Sequence, residues 1–174
     1  RALAAAGPDA AASADALTGL DADALGVGRF NASQRLLNRA AAATDVAGGR
    51  RLGVRLAWVR AELAMMRGDG AGAVEHAERA VAAAADHPSA RHRVKSDVVL
   101  AAALCSRGDL AHSRAVADAA LAAADPLGLV PLRWALASLL AGIGSETYTP
   151  TQVTAIRDVS ADTVRHRGGV WSDH

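Results

Sequence analysis

Three glycines, Gly28, Gly68 and Gly108, stand 40 residues apart, and this spacing constrains the fold more than any other feature of the chain. Around the last two, Arg67-Gly68-Asp69 recurs as Arg107-Gly108-Asp109. In the same register Ala40, Ala80 and Ala120 align, followed by Ala41, Val81 and Leu121. Upstream, Arg51 matches Arg91, Val54 matches Val94, Arg55 matches Lys95 and Val59 matches Val99. Self-similarity at a fixed period of this size marks a structural unit that is repeated and stacked. With 45 alanines among 174 residues some Ala matches come free, but the triplets and basic pairs do not.

Each triplet has a physical explanation. An Arg closing a helix faces the negative end of its macrodipole. A Gly just beyond it adopts the left-handed cap conformation. The Asp that follows can accept from the free amides opening the next helix. Each repeat therefore reads as helix, tight turn, helix, which accounts for both Arg-Gly-Asp triplets without invoking an adhesion motif. Alanine is the best helix former, and no alternating run of β-branched or aromatic residues suggests a strand. Small side chains bury little apolar area each, so the helices are expected to approach closely.

The helix from Arg50 to Arg67 is the most legible. Leu52, Leu56, Val59, Leu63 and Met66 form one stripe, its expected buried face. The next helix is expected from Ala71 to Ala85, with Val74, Ala77, Val81 and Ala84 inward. Pro88-Ser89 starts a helix to Arg107, and Leu110 to Ala124 forms its partner, ending at Asp125-Pro126. In the first repeat Leu17, Leu20 and Ala24 precede Gly28, and Phe30, Ser33, Leu37 and Ala40 follow. A helix from Pro131 to Ala141, carrying Trp134, Leu136, Leu139 and Leu140, is expected to cap the stack.

Leu100-Ala101, Leu104, Gly108-Asp109-Leu110, Ser113, Ala117 and Ala120-Leu121 together resemble a tetratricopeptide repeat. So do Leu17, Leu20, Ala24, Gly28, Phe30, Ser33, Leu37 and Ala40. The middle repeat departs, with Arg60 where Leu is usual and Ala57 where a bulky residue is usual. The period also exceeds the family's usual length of about 34. The resemblance implies a right-handed stack of helix pairs whose concave face binds peptides or proteins. The expected fold is all-α: a tetratricopeptide-like α-α solenoid of about three helix pairs plus a capping helix over residues 1–144. A C-terminal helical segment is expected over residues 145–174.

A second stripe runs along the Arg50 helix: Arg51, Arg55, Trp58, Glu62 and Met65, about a quarter turn from the leucines. Its counterparts one repeat on are Arg91, Lys95, Val98, Ala102 and Cys105. Stacking of the two repeats would set Arg51 beside Arg91 and Arg55 beside Lys95. The resemblance implies that this helix of each pair lines the ligand groove, making Arg51, Arg55, Trp58, Glu62, Met65, Arg91, Lys95, Val98 and Cys105 the candidate partner-binding residues. The basic ones lie in the opening turns of their helices, where the macrodipole disfavours positive charge by about 0.3–1 kcal/mol each. Two explanations stand: an acidic ligand, or neutralisation by Asp45, Glu75, Glu78 and Asp86. Trp58 is either a core residue or an anchor for a partner.

Other chemistries find little support. A formal charge of +1 gives no global field for nucleic acid. The excess of Arg over Lys reads as coding bias. None of the six histidines pairs across one helix face with a nearby acid, so no metal is expected. Cys105 lacks a His and Asn or Asp framework and is expected to be a buried or groove thiol rather than a nucleophile, in a reducing compartment. No phosphate loop follows a strand, no cofactor is expected, and the chain reads as non-catalytic. No run of about 18 apolar residues exists, and Arg1 to Ala6 is too short for a signal peptide, so a cytoplasmic location is expected. Towards the C terminus, Thr149-Pro150 starts a helix with Val153, Ile156 and Val159 on one side and a restart at Ser160. The stretch from Ser160 to Arg165 superficially resembles a DNA-recognition helix but lacks room for its scaffold helices; docking on the solenoid end, with Trp171 beneath, is the plainer expectation. The function expected is a protein-interaction or scaffold module for a protein or peptide partner, an acidic one being a candidate. A sensor fragment of a bacterial transcription regulator and a small-ligand-binding helical domain are its rivals, and no oligomeric state is indicated.

Overall fold

The computed structural model describes residues 9–48 and 50–169. The readings of Arg1 to Ala6 and of Trp171 lie outside the described residues. Among the described residues the protein is all-α, with no strand. Helices α1 (Ala10–Gly26), α2 (Phe30–Ala47), α3 (Arg50–Met66) and α4 (Gly70–Ala85) are followed by α5 (Ala90–Arg107), α6 (Leu110–Ala124), α7 (Val130–Ile143) and α8 (Pro150–His166). Each helix begins 20 residues after the one before, so the 40-residue repeat is a helix pair. The chain divides into two compact units, Arg1–Pro88 and Ser89–His174.

In the first unit α1 packs on α2 and α3 on α4, while α3 also packs against α2 and α1. Leu17, Leu25 and Leu37 join Leu56, Val59 and Leu63 in one core. In the second unit α5 packs on α6 and α7 on α8, and α7 also packs against α6 and α5. Its core gathers Ala101, Ala117 and Leu121 with Leu136, Leu140 and Val153. Leu52, Val74, Ala77 and Ala84 are buried as the stripes predict. Residues 40, 80, 120 and 160 are the buried small side chains Ala, Ala, Ala and Ser, so α7 and α8 repeat the frame of the earlier pairs.

The turns follow the triplet chemistry. Gly28, Gly68 and Gly108 have φ of 73°, 76° and 87°, the left-handed region that side chains avoid. Asp69 accepts from the Gly72 amide at 2.9 Å and Asp109 from the His112 amide at 3.4 Å, capping α4 and α6. The Arg side chains act more specifically than a dipole: Arg67 donates to Gln34 Oε1 at 2.8 Å, and Arg107 to Asp109 at 3.1 Å. Four expectations change. Val159 of α8, expected on its apolar side with Val153 and Ile156, is exposed. Met66 is exposed, because it is the last residue of α3 and the chain turns away there. Leu20 is exposed while Asp21 beside it is fully buried, a one-residue rotation of the inward face. Helix α8 runs unbroken through Ser160, since a small buried residue there suits packing and needs no new start. Its N-terminus is a capping box, Thr149 with Gln152, as Thr149-Pro150 suggests.

Candidate functional site

The candidate residues fall on two helices, one in each unit. Arg51, Arg55, Trp58, Glu62 and Met65 ride on α3, and Arg91, Lys95, Val98 and Cys105 on α5.

On α3 the two arginines stand one helical turn apart and converge on a single carboxylate, Asp15 of α1. Arg51 Nη2 lies 3.4 Å from Asp15 Oδ2, and Arg55 Nη1 donates to Asp15 Oδ1. For Arg51 and Arg55 the neutralising acid is thus Asp15, a residue outside the four acids Asp45, Glu75, Glu78 and Asp86. Residues 15 and 55 hold the same place in successive repeats, 40 apart, so the ion pair bridges equivalent positions of the packed helices α1 and α3. That register was the available signal, and searching for acids near in sequence misses it. The group is partly solvated, with 56%, 28% and 36% of the Arg51, Arg55 and Asp15 side chains exposed. Pairs of this kind contribute only about 0–1 kcal/mol.

Further along α3, Trp58, Glu62 and Met65 are half-buried, so Trp58 belongs neither to the sealed core nor to the open surface. Glu62 faces a feature absent from the sequence reading. Asp21 of α1 is fully buried and accepts a hydrogen bond from the Ser33 hydroxyl of α2, while its Oδ2 has no partner. Burial pushes the Asp21 carboxyl up to about 6, the Ser33 bond opposes this, and the charge of Glu62 adds to it. Ala61 and Ala101 occupy the matching places in the next two repeats.

On α5, Arg91 is exposed, while Lys95, Val98 and Cys105 are half-buried. Val98 packs against the core of its unit, and Cys105 is a free thiol. Burial also raises the Asp97 carboxyl above the ordinary carboxylate range. Among the described residues no three His, Cys, Asp or Glu side chains gather as a metal would require, and no helix is long and apolar enough to cross a membrane.

By its fold the chain is an all-α protein of paired helices at a fixed 20-residue beat. Comparison with known proteins returns no match, either to a protein-family model or to a curated protein sequence.

Proposed function

We propose that the chain is a non-catalytic, tetratricopeptide-like binding module that holds an acidic protein or peptide segment along the partly exposed Arg51, Arg55 and Trp58 side of its α3 helix, with the matching α5 residues serving the same role in the second unit. One observation carries this reading: Arg51 and Arg55 share a single, partly exposed carboxylate. Two guanidinium groups carry ten N–H donors between them, and Asp15 can satisfy only a few. A ligand carboxylate can take up the unused donors, or displace Asp15 at the small cost of a surface ion pair. Trp58, one turn on from Arg55 and half-buried, supplies the aromatic surface that anchors partners best. The regular helix beat and the Gly-Asp turns favour a helix-pair repeat architecture. A scaffold role in the cytoplasm fits these features.

Selection of random phage-displayed peptides on the full chain tests the reading. Enriched sequences should be rich in Asp and Glu, and should no longer bind a variant carrying Arg51→Glu and Arg55→Glu whose circular dichroism is unchanged. Sequences without acidic bias, or equal binding to the variant, would overturn it.

A further inference from the structure

Apart from the Arg51–Arg55 pair, the first unit holds a cavity of about 150 Å³ between α2, α3 and α4. Its polar wall is Gln34 from α2, Arg60 from α3, Arg67 and Asp69 from the turn, and His76 from α4. The charge there is unevenly matched. Asp69 is already engaged as the cap of α4, accepting from the Gly72 amide at 2.9 Å. Arg67 is oriented by two neutral acceptors, Gln34 Oε1 at 2.8 Å and the Phe30 carbonyl at 3.3 Å. Those bonds fix the guanidinium without neutralising it and leave donors unspent. Arg60 is half-buried and, among the described residues, pairs with no carboxylate.

His76 reports the same imbalance. Burial lowers its affinity for a proton, and the positive charges of Arg79 and Arg60 lower it further against the smaller influence of Glu75 and Asp69. Its Nδ1 is buried without a hydrogen-bond partner. With the imidazole neutral, two guanidinium groups face one carboxylate, a net charge suited to one anion. The cavity admits a compact group, several times the share of about 30 Å³ that one water takes in the liquid. Arg60 is half-buried and Arg67 exposed, so the site opens to solvent and an anion can reach both guanidinium groups.

We propose that this cavity is a binding site for a small oxyanion, a carboxylate or a phosphate held by the guanidinium groups of Arg60 and Arg67 with His76 at its side. Planar forks of N–H donors match both groups in geometry and charge. The site uses none of the α3 residues assigned to the peptide partner, so the two readings fail independently.

An NMR titration of the histidine rings in the full chain tests it, with His76 assigned from a His76→Gln spectrum. The titration is run in sodium phosphate, sodium acetate and sodium chloride at equal ionic strength. The His76 midpoint should rise by about one pH unit or more with the bound anion, as an opposite charge within about 4–6 Å produces. His166 and the other rings should not move. A rise in phosphate alone assigns a phosphoryl ligand, a rise in acetate alone a carboxylate, and a rise in both an unselective oxyanion site. The rise should vanish in Arg60→Gln and survive in part in Arg60→Lys, which keeps the charge and guards against a variant that merely loosens the fold. Identical His76 midpoints in all three salts would overturn the proposal, as would an undiminished rise in Arg60→Gln.

Discussion

Two buried carboxylates show how differently one side chain can serve a fold. Asp118 of α6 accepts from Ser145 Oγ at 2.6 Å and from the amides of Glu146 and Thr147 at 2.9 and 3.2 Å, so it organises the turn between α7 and α8. Asp118→Ala leaves those donors without their acceptor and should lower the unfolding free energy by about 2–3 kcal/mol in urea denaturation. Asp21 has the opposite standing, with one hydrogen bond and an unpartnered oxygen. Its carboxyl titrates near 6 in the folded protein against an ordinary 3.8. The folded state therefore binds this proton more tightly than the unfolded state, and stability is lost as pH rises through that window. Between pH 4 and pH 7 the loss is on the order of 2–3 kcal/mol for this group alone. Asp21→Asn, which mimics the neutral acid, should flatten the dependence and make the variant the more stable protein at pH 7. Urea melts of both proteins at pH 4, 5, 6 and 7 check this, and parallel curves would show that Asp21 is not the source.

At the scale of elements, glycine position separates two roles. Gly108 closes α5 at φ 87° with nothing near a would-be Cβ, so Gly108→Ala should cost about 1–2 kcal/mol from backbone strain alone. Gly53 lies inside α3 with equal space around it, and Gly53→Ala should add about 0.5–1 kcal/mol. Thermal melts that move in the same direction for both would refute this division. The helices were legible because Ala, Gly and Asp punctuate the chain by local rules. The 20-residue beat was harder to see: glycines at 28, 48, 68, 108, 128 and 168 mark it, but Pro88 and Tyr148 stand at the two intervening places. Asp21 was hidden because Leu20 beside it has the side chain expected of a core, and only tertiary packing decides which neighbour turns inward. Asp15 was hidden in another way, since its partner Arg55 is a whole repeat distant and meets it only when α1 and α3 lie together.

At the scale of the molecule, each unit carries an apolar core of its own. Leu17, Leu37, Leu56 and Leu63 serve residues 1–88, and Leu121, Leu136, Leu140 and Val153 serve residues 89–174. Chains of this size bury only about 60% of their unfolded surface and are marginally stable, and alanine-rich cores add little area per residue. The close helix contacts that small residues allow must compensate, since dispersion grows with the number of atoms brought together. Each unit, expressed alone, is therefore expected to be helical by circular dichroism and to unfold in one cooperative urea transition. The pH response supplies a sharper check than helicity, because an alanine-rich peptide can be helical without any tertiary fold. Asp21 titrates abnormally only when α1 and α2 enclose it and Glu62 of α3 stands near. The fragment of residues 1–88 should then gain stability as pH falls from 7 to 5, and Asp21→Asn should remove that gain. A helical fragment that melts gradually and ignores the substitution would mean that helix propensity survives in it while the native core does not.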